Sequence, residues 1–160
     1  MTDTDRERVA VLLGREPMGA FDVVVRRADG DPVVLRNEPL LPDGTPMPTR
    51  YWLCDPPLRA VIGTIESEGA IDEVEAELGL DVLAVTHDAY ASERATAMPT
   101  DHDGPAPTGG VGGTRVGVKC LHAHYANWLA GGDDPVGAWT HDRLVIRGLL
   151  PTGAPERVCR

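Results

Sequence analysis

The sequence predicts an α+β fold, with a small antiparallel sheet or hairpin from the N-terminal half packed by four to six short helices in a single domain. Three observations carry this. Two β-rich runs, 21–27 and 32–36, flank Ala28-Asp29-Gly30-Asp31, a good hairpin signal. Apolar residues recur at helical spacing through residues 58–78 and again after residue 118. A chain of 160 residues, 42% of them hydrophobic, is enough for one core. With one Phe, three Tyr and three Trp, that core must be mostly aliphatic.

Residues 4–13 read as a helix capped by Thr4 or Asp3, with Val9, Leu12 and Leu13 as its apolar stripe and Gly14 as its stop. The hairpin follows. Four prolines and an Asp-Gly between Glu38 and Pro48 predict an irregular loop. It leads to Tyr51-Trp52-Leu53-Cys54, a short buried strand or loop. Asp55 caps the next helix, with Pro56 in its first turn and Leu58, Val61, Ile62 and Ile65 at helical spacing. Further helices are expected from Ile71 to Gly79 and from Asp81 to about Met98. Residues 99–116, rich in proline and glycine, are a disordered linker or a functional loop. Residues 118–130 read as a helix stopped by Gly131-Gly132, and Asp133 or Asp134 starts a last one at Pro135. The main unit spans residues 1–150, and residues 151–160 are expected to form a flexible tail.

The net charge of −10 argues against a nucleic-acid footprint and against an anionic membrane surface. No apolar run reaches the ~20 residues that span a bilayer. The polar start Met1-Thr2-Asp3-Thr4-Asp5-Arg6 lacks a signal-peptide core. Three scattered cysteines, Cys54, Cys120 and Cys159, form no disulfide framework. A cytoplasmic protein with free thiols is expected.

The chemistry concentrates in residues 109–124. Five glycines and Arg115 run into the only lysine, Lys119, then Cys120, His122 and His124. Amides of Gly112 and Gly113, the Thr114 hydroxyl, Arg115, Lys119 and a helix N-terminus could hold a small anion of the phosphate type. The loop is not a Walker A motif, because no Gly-Lys-Ser/Thr triplet follows it. If residues 118–130 are helical throughout, Cys120, His124 and Asn127 share one side, while His122 projects about 160° from His124. Cys120 and His124 would then be a thiolate–imidazole couple or half of a zinc site, with Cys54 or carboxylates completing it. The plainer reading makes Cys120 a buried hydrophobe and His124 a satisfied histidine. His87 and His102 read as solvated, Tyr51 and Trp52 as core anchors, and Arg15 and Arg50 as surface groups.

Several blocks resemble the bacterial domain-of-unknown-function family numbered 501: Leu13-Gly14-Arg15-Glu16-Pro17-Met18-Gly19, Asp43-Gly44-Thr45-Pro46-Met47-Pro48-Thr49-Arg50-Tyr51-Trp52-Leu53, Gly117-Val118-Lys119-Cys120-Leu121-His122-Ala123-His124, and Gly131-Gly132-Asp133-Asp134-Pro135-Val136-Gly137. The resemblance implies a single-domain bacterial protein and supplies no substrate, cofactor or activity. It directs attention to Lys119, Cys120 and His122, whereas helix geometry favours His124. If residues 117–122 are a turn, His122 joins Cys120 and Lys119 in one pocket. Two functional classes stand. One is a small-anion site with Cys120, His122 or His124 as its reactive groups. The other is a non-enzymatic interaction or regulatory domain, alone or self-associated, in which the Lys-Cys-Leu-His block is structural.

Overall fold

A computed structural model describes residues 2–159. Helix α1 (Asp3–Leu13) begins one residue earlier than expected, because Thr2 is the cap. Its hydroxyl accepts the Asp5 amide (3.1 Å), and the Asp5 carboxylate reaches back to the Thr2 amide. Gly14, left-handed, ends it.

Strands β1 (Phe21–Arg26) and β2 (Pro32–Asn37) form the expected hairpin, and β3 (Tyr51–Leu53) adds antiparallel to β2. The β1–β2 register slips twice between Val23 and Arg26, marking bulges that twist the pair. Successive side chains point to opposite faces. Leu35 therefore joins Val9, Phe21 and Cys54 beneath α1, while Val34, Tyr51 and Leu53 enter the larger core on the other face.

That core is closed by α2 (Pro56–Ser67), α3 (Ala70–Leu78), α4 (Leu80–Thr96), α5 (Leu121–Leu129) and α6 (Pro135–Ile146), making an α+β single domain. Asp55 caps α2 through the Leu58 amide (3.0 Å) and holds Arg27 in a two-pronged ion pair (2.6 and 2.8 Å), which ties hairpin to helix. Arg50 is buried and donates to the Asn37 carbonyl (2.6 Å) rather than standing in solvent.

Residues 97–116 are an ordered loop held by α4. Buried Arg94 donates to the carbonyls of Pro48 (2.7 Å), Pro107 (3.3 Å) and Gly109 (2.7 Å). His87, read from sequence as solvated, is also buried: its Nδ1 accepts the Val111 amide (3.1 Å) and its Nε2 donates to the Gly117 carbonyl (2.8 Å). The amide fixes the neutral Nε2–H tautomer. Gly110 lets the loop approach this closely, since a Cβ there would lie 2.3 Å from the His87 Cβ. The C-terminal segment runs beside α5, with Arg157 donating to the carbonyls of Trp128, Gly131 and Gly132 and the Val158 amide to Leu129.

A candidate site where β3 meets the start of α5

The helix expected over 118–130 starts later, at Leu121, and this reorders the site. Gly117 is left-handed (φ 70°), Lys119 lies at a bend, and Cys120 is extended (φ −156°, ψ 146°). Two carboxylates take the amides leading into α5. Glu75 accepts the Val118 N–H and Glu66 the Leu121 N–H, each at 2.6 Å. With those donors satisfied from α3 and α2, nothing draws residues 118–120 into the helix.

Cys120 is consequently the N-cap of α5, outside the helical repeat, and its neighbour is His122. The donor atoms of Glu66, Cys120 and His122 all lie within 4.8 Å of one another. His122 Nδ1 is 3.3 Å from the Glu66 carboxylate, and Nε2 donates to the Arg59 carbonyl (3.0 Å). Burial works to depress the His122 pKa, but the Cys120 sulfur, the Glu66 carboxylate and the Arg59 carbonyl outweigh it and push it up to about 10. Hydrogen bonds from His122 and the Leu121 amide, with the charge of His122, outweigh the burial of Glu66 and hold it below the usual carboxylate range.

Cys120 and His122 line a cavity of about 300 Å³. Tyr51, Leu53 and Ala123 give it apolar walls, while Arg59 and Lys119 stand exposed at its edge; the Trp52 ring packs on the other face of the sheet with Leu35, under Arg15. Lys119 Nζ donates to the Gly112 carbonyl (3.2 Å), folding the loop over one side.

The remaining residues singled out from sequence lie elsewhere. Four of the loop's amides are spent: Gly110 donates to the Thr114 carbonyl, Gly113 to Gly110, Thr114 to Val111, and Val111 to His87. Gly112 reaches the cavity, Gly113 packs toward Pro48, the Thr114 hydroxyl donates to the Val116 carbonyl, and Arg115 is exposed away from the lining. His124 is fully buried, its Nδ1–H donating to both oxygens of Asp134 (2.9 Å each). Asp134 also accepts from Asn127 (2.9 Å) and, as the cap of α6, from the Gly137 amide (3.0 Å). His124 and Asn127 thus join α5 to α6 and do not meet Cys120. Cys54 is equally remote in role: buried under α1, it donates to the Val33 carbonyl (3.4 Å), and burial raises its pKa to about 12.

Glu66 and Arg59 were not singled out by the sequence reading. The available signal was slight: Glu66 follows Ile62 and Ile65 and lies one turn beyond Ile62, so a carboxylate borders the buried stripe of α2.

A family model described as "Protein of unknown function (DUF501)" matches residues 23–142. The chain belongs to the DUF501 family. The matched span contains the whole sheet apart from the first two residues of β1, together with Glu66, Cys120 and His122. No curated protein and no solved structure matches the chain. Among the described residues of this DUF501 member, no helix is long and apolar enough to cross a membrane.

Proposed function

We propose that the cavity between β3 and the start of α5 binds a small ligand with an apolar body and one anionic group. The observation that carries this is the pairing of Arg59 and Lys119 at the edge of a cavity walled in part by Tyr51, Leu53 and Ala123, in a protein whose net charge is −10. The anion site moves from the glycine-loop amides to these two side chains, because the Gly110, Val111, Gly113 and Thr114 amides already have partners. The tight end of the α5 N-terminus is likewise taken, by the Glu66 carboxylate. Tyr51, Leu53 and Ala123 supply the apolar wall against which an aromatic or acyl body packs. Cys120 and His122 face the same space and are the groups that would act on a bound ligand.

Thermal unfolding with inorganic phosphate and with phenyl phosphate tests this. At ten times its dissociation constant, a ligand adds about 1.4 kcal/mol, or roughly 3–6 °C for a chain of this size. Phenyl phosphate should protect at lower concentration than phosphate. Arg59→Ala and Lys119→Ala should each weaken protection, and Arg115→Ala should leave it intact. Absence of protection by both compounds, or equal loss in Arg115→Ala, would overturn the reading.

A further inference from the structure

We propose that Glu66, Cys120 and His122 hold a zinc-class divalent cation whose remaining coordination position opens into the cavity. The donor set is one carboxylate oxygen, one sulfur and one imidazole nitrogen, and zinc accepts all three. The thiolate selects against magnesium and calcium, which take oxygen ligands.

The spacing is close to what such an ion needs. Tetrahedral zinc sets its ligand atoms about 3.5 Å apart. The 4.8 Å bound on the three donors therefore requires closure by at most about 1.3 Å, within reach of side-chain rotation at a cavity edge. The surrounding hydrogen bonds are already those of a ligand set. His122 donates Nε2–H to the Arg59 carbonyl at 3.0 Å, which turns Nδ1 toward Glu66. Glu66 is oriented by the Leu121 amide at 2.6 Å. Such outer partners fix ring orientation and ligand basicity in metal centres.

Charge and ligand count agree. A thiolate and a carboxylate together neutralise a doubly charged ion in a half-buried setting. Loading would displace protons from the ligand set to solvent. Three protein ligands rather than four leave one position open, the pattern of reactive rather than purely structural zinc. Cys120 and His122 line the cavity, so that position faces it. The Cys-x-His spacing works only because Cys120 is extended; continued as helix, it would place the two side chains on opposite sides. This inference goes beyond the anion reading, which rests on Arg59 and Lys119 and needs no cation.

The test is titration of the full chain, stripped with a chelator, with Zn²⁺ and with Co²⁺. The expected result is one metal per chain by elemental analysis, and a thiolate-to-cobalt charge-transfer band in the near ultraviolet. Cys120→Ser should abolish the band with an unchanged circular dichroism spectrum. His122→Ala should weaken affinity at least ~100-fold and Glu66→Gln at least ~10-fold, at or beyond the effect of losing outer partners. Glutamine can still accept the Leu121 amide, so Glu66→Gln keeps the helix start. Cys159→Ser, removing the exposed thiol, should change nothing. No stoichiometric metal, a band that survives Cys120→Ser, or one lost in Cys159→Ser would overturn the proposal. Phenyl phosphate protection measured on the stripped protein reports separately on the anion reading.

Discussion

Cys120 owes its surroundings to one pair of backbone angles. Held extended, it turns from His124 toward His122, and a histidine expected on the far side becomes its neighbour. The three thiols accordingly sit in three environments, and their reactivity should rank with them. Cys159 is exposed, Cys120 half-buried and Cys54 buried. Iodoacetamide at neutral pH followed by peptide mapping should label Cys159 first, Cys120 next, and Cys54 only on unfolding. Cys54 also carries a pH signature. Its pKa is raised from an ordinary 9.0 to about 12, so the folded state keeps a proton that the unfolded chain gives up. Its contribution is therefore complete below pH 9 and is lost as pH rises toward 12. Denaturant midpoints measured across that range should fall in wild type and fall less steeply in Cys54→Ala. Lys119, Cys120 and His122 were legible as a group from their crowding in sequence. Their partners Glu66 and Arg59 were not, because only the folded positions of α2 and α5 bring residues more than 50 apart into contact.

At the scale of elements, carboxylates do the joining at both ends of α5. Glu66 and Glu75 receive the amides that lead into it, and Asp134 ties its His124 and Asn127 to the first turn of α6. The caps at Asp55 and Asp134 and the stops at Gly14 and Gly131-Gly132 were legible, since capping is local chemistry. The start of α5 was not, because it is set by carboxylates from α2 and α3. Asp134→Ala removes a cap and strands a buried histidine and asparagine together. It should cost about 2–5 kcal/mol, from a lost cap and stranded buried hydrogen-bond donors, read from urea unfolding against wild type. The 97–116 loop was ambiguous for a similar reason: its anchors, His87 and Arg94, look like the polar face of α4. Arg94→Ala frees two loop carbonyls, of Pro107 and Gly109, together with that of Pro48, and should expose residues 105–110 to limited proteolysis while leaving the helical signal unchanged.

Across the whole molecule, the α+β architecture followed from a hairpin signal and a run of helical periods, and the sheet gained β3 as the buried Tyr51-Trp52-Leu53 run suggested. The C-terminal segment is where local reading has least purchase. Prolines, a glycine and no apolar period read as a free tail, yet Arg157 and Val158 meet the carbonyls that end α5. Those carbonyls are the groups a helix end leaves without partners. Removing residues 151–160 should cost about 1–3 kcal/mol and lower the melting midpoint by roughly 2–4 °C per kcal/mol.

Arg27 makes a bond that spans almost the entire chain. Its guanidinium holds Asp55, 28 positions away, and also the carbonyls of Thr152 and Gly153, 125 and 126 positions away. On the ribosome these two engagements are separated in time. The pairing with Asp55 can close once the hairpin and the start of α2 have emerged, whereas the second must wait until residues 152–153 have cleared the exit tunnel. A nascent chain paused before that point carries an arginine fork only half engaged and an α5 C-terminus still facing water. Closure of the arginine fork is thus coupled to the emergence of residues 152–153.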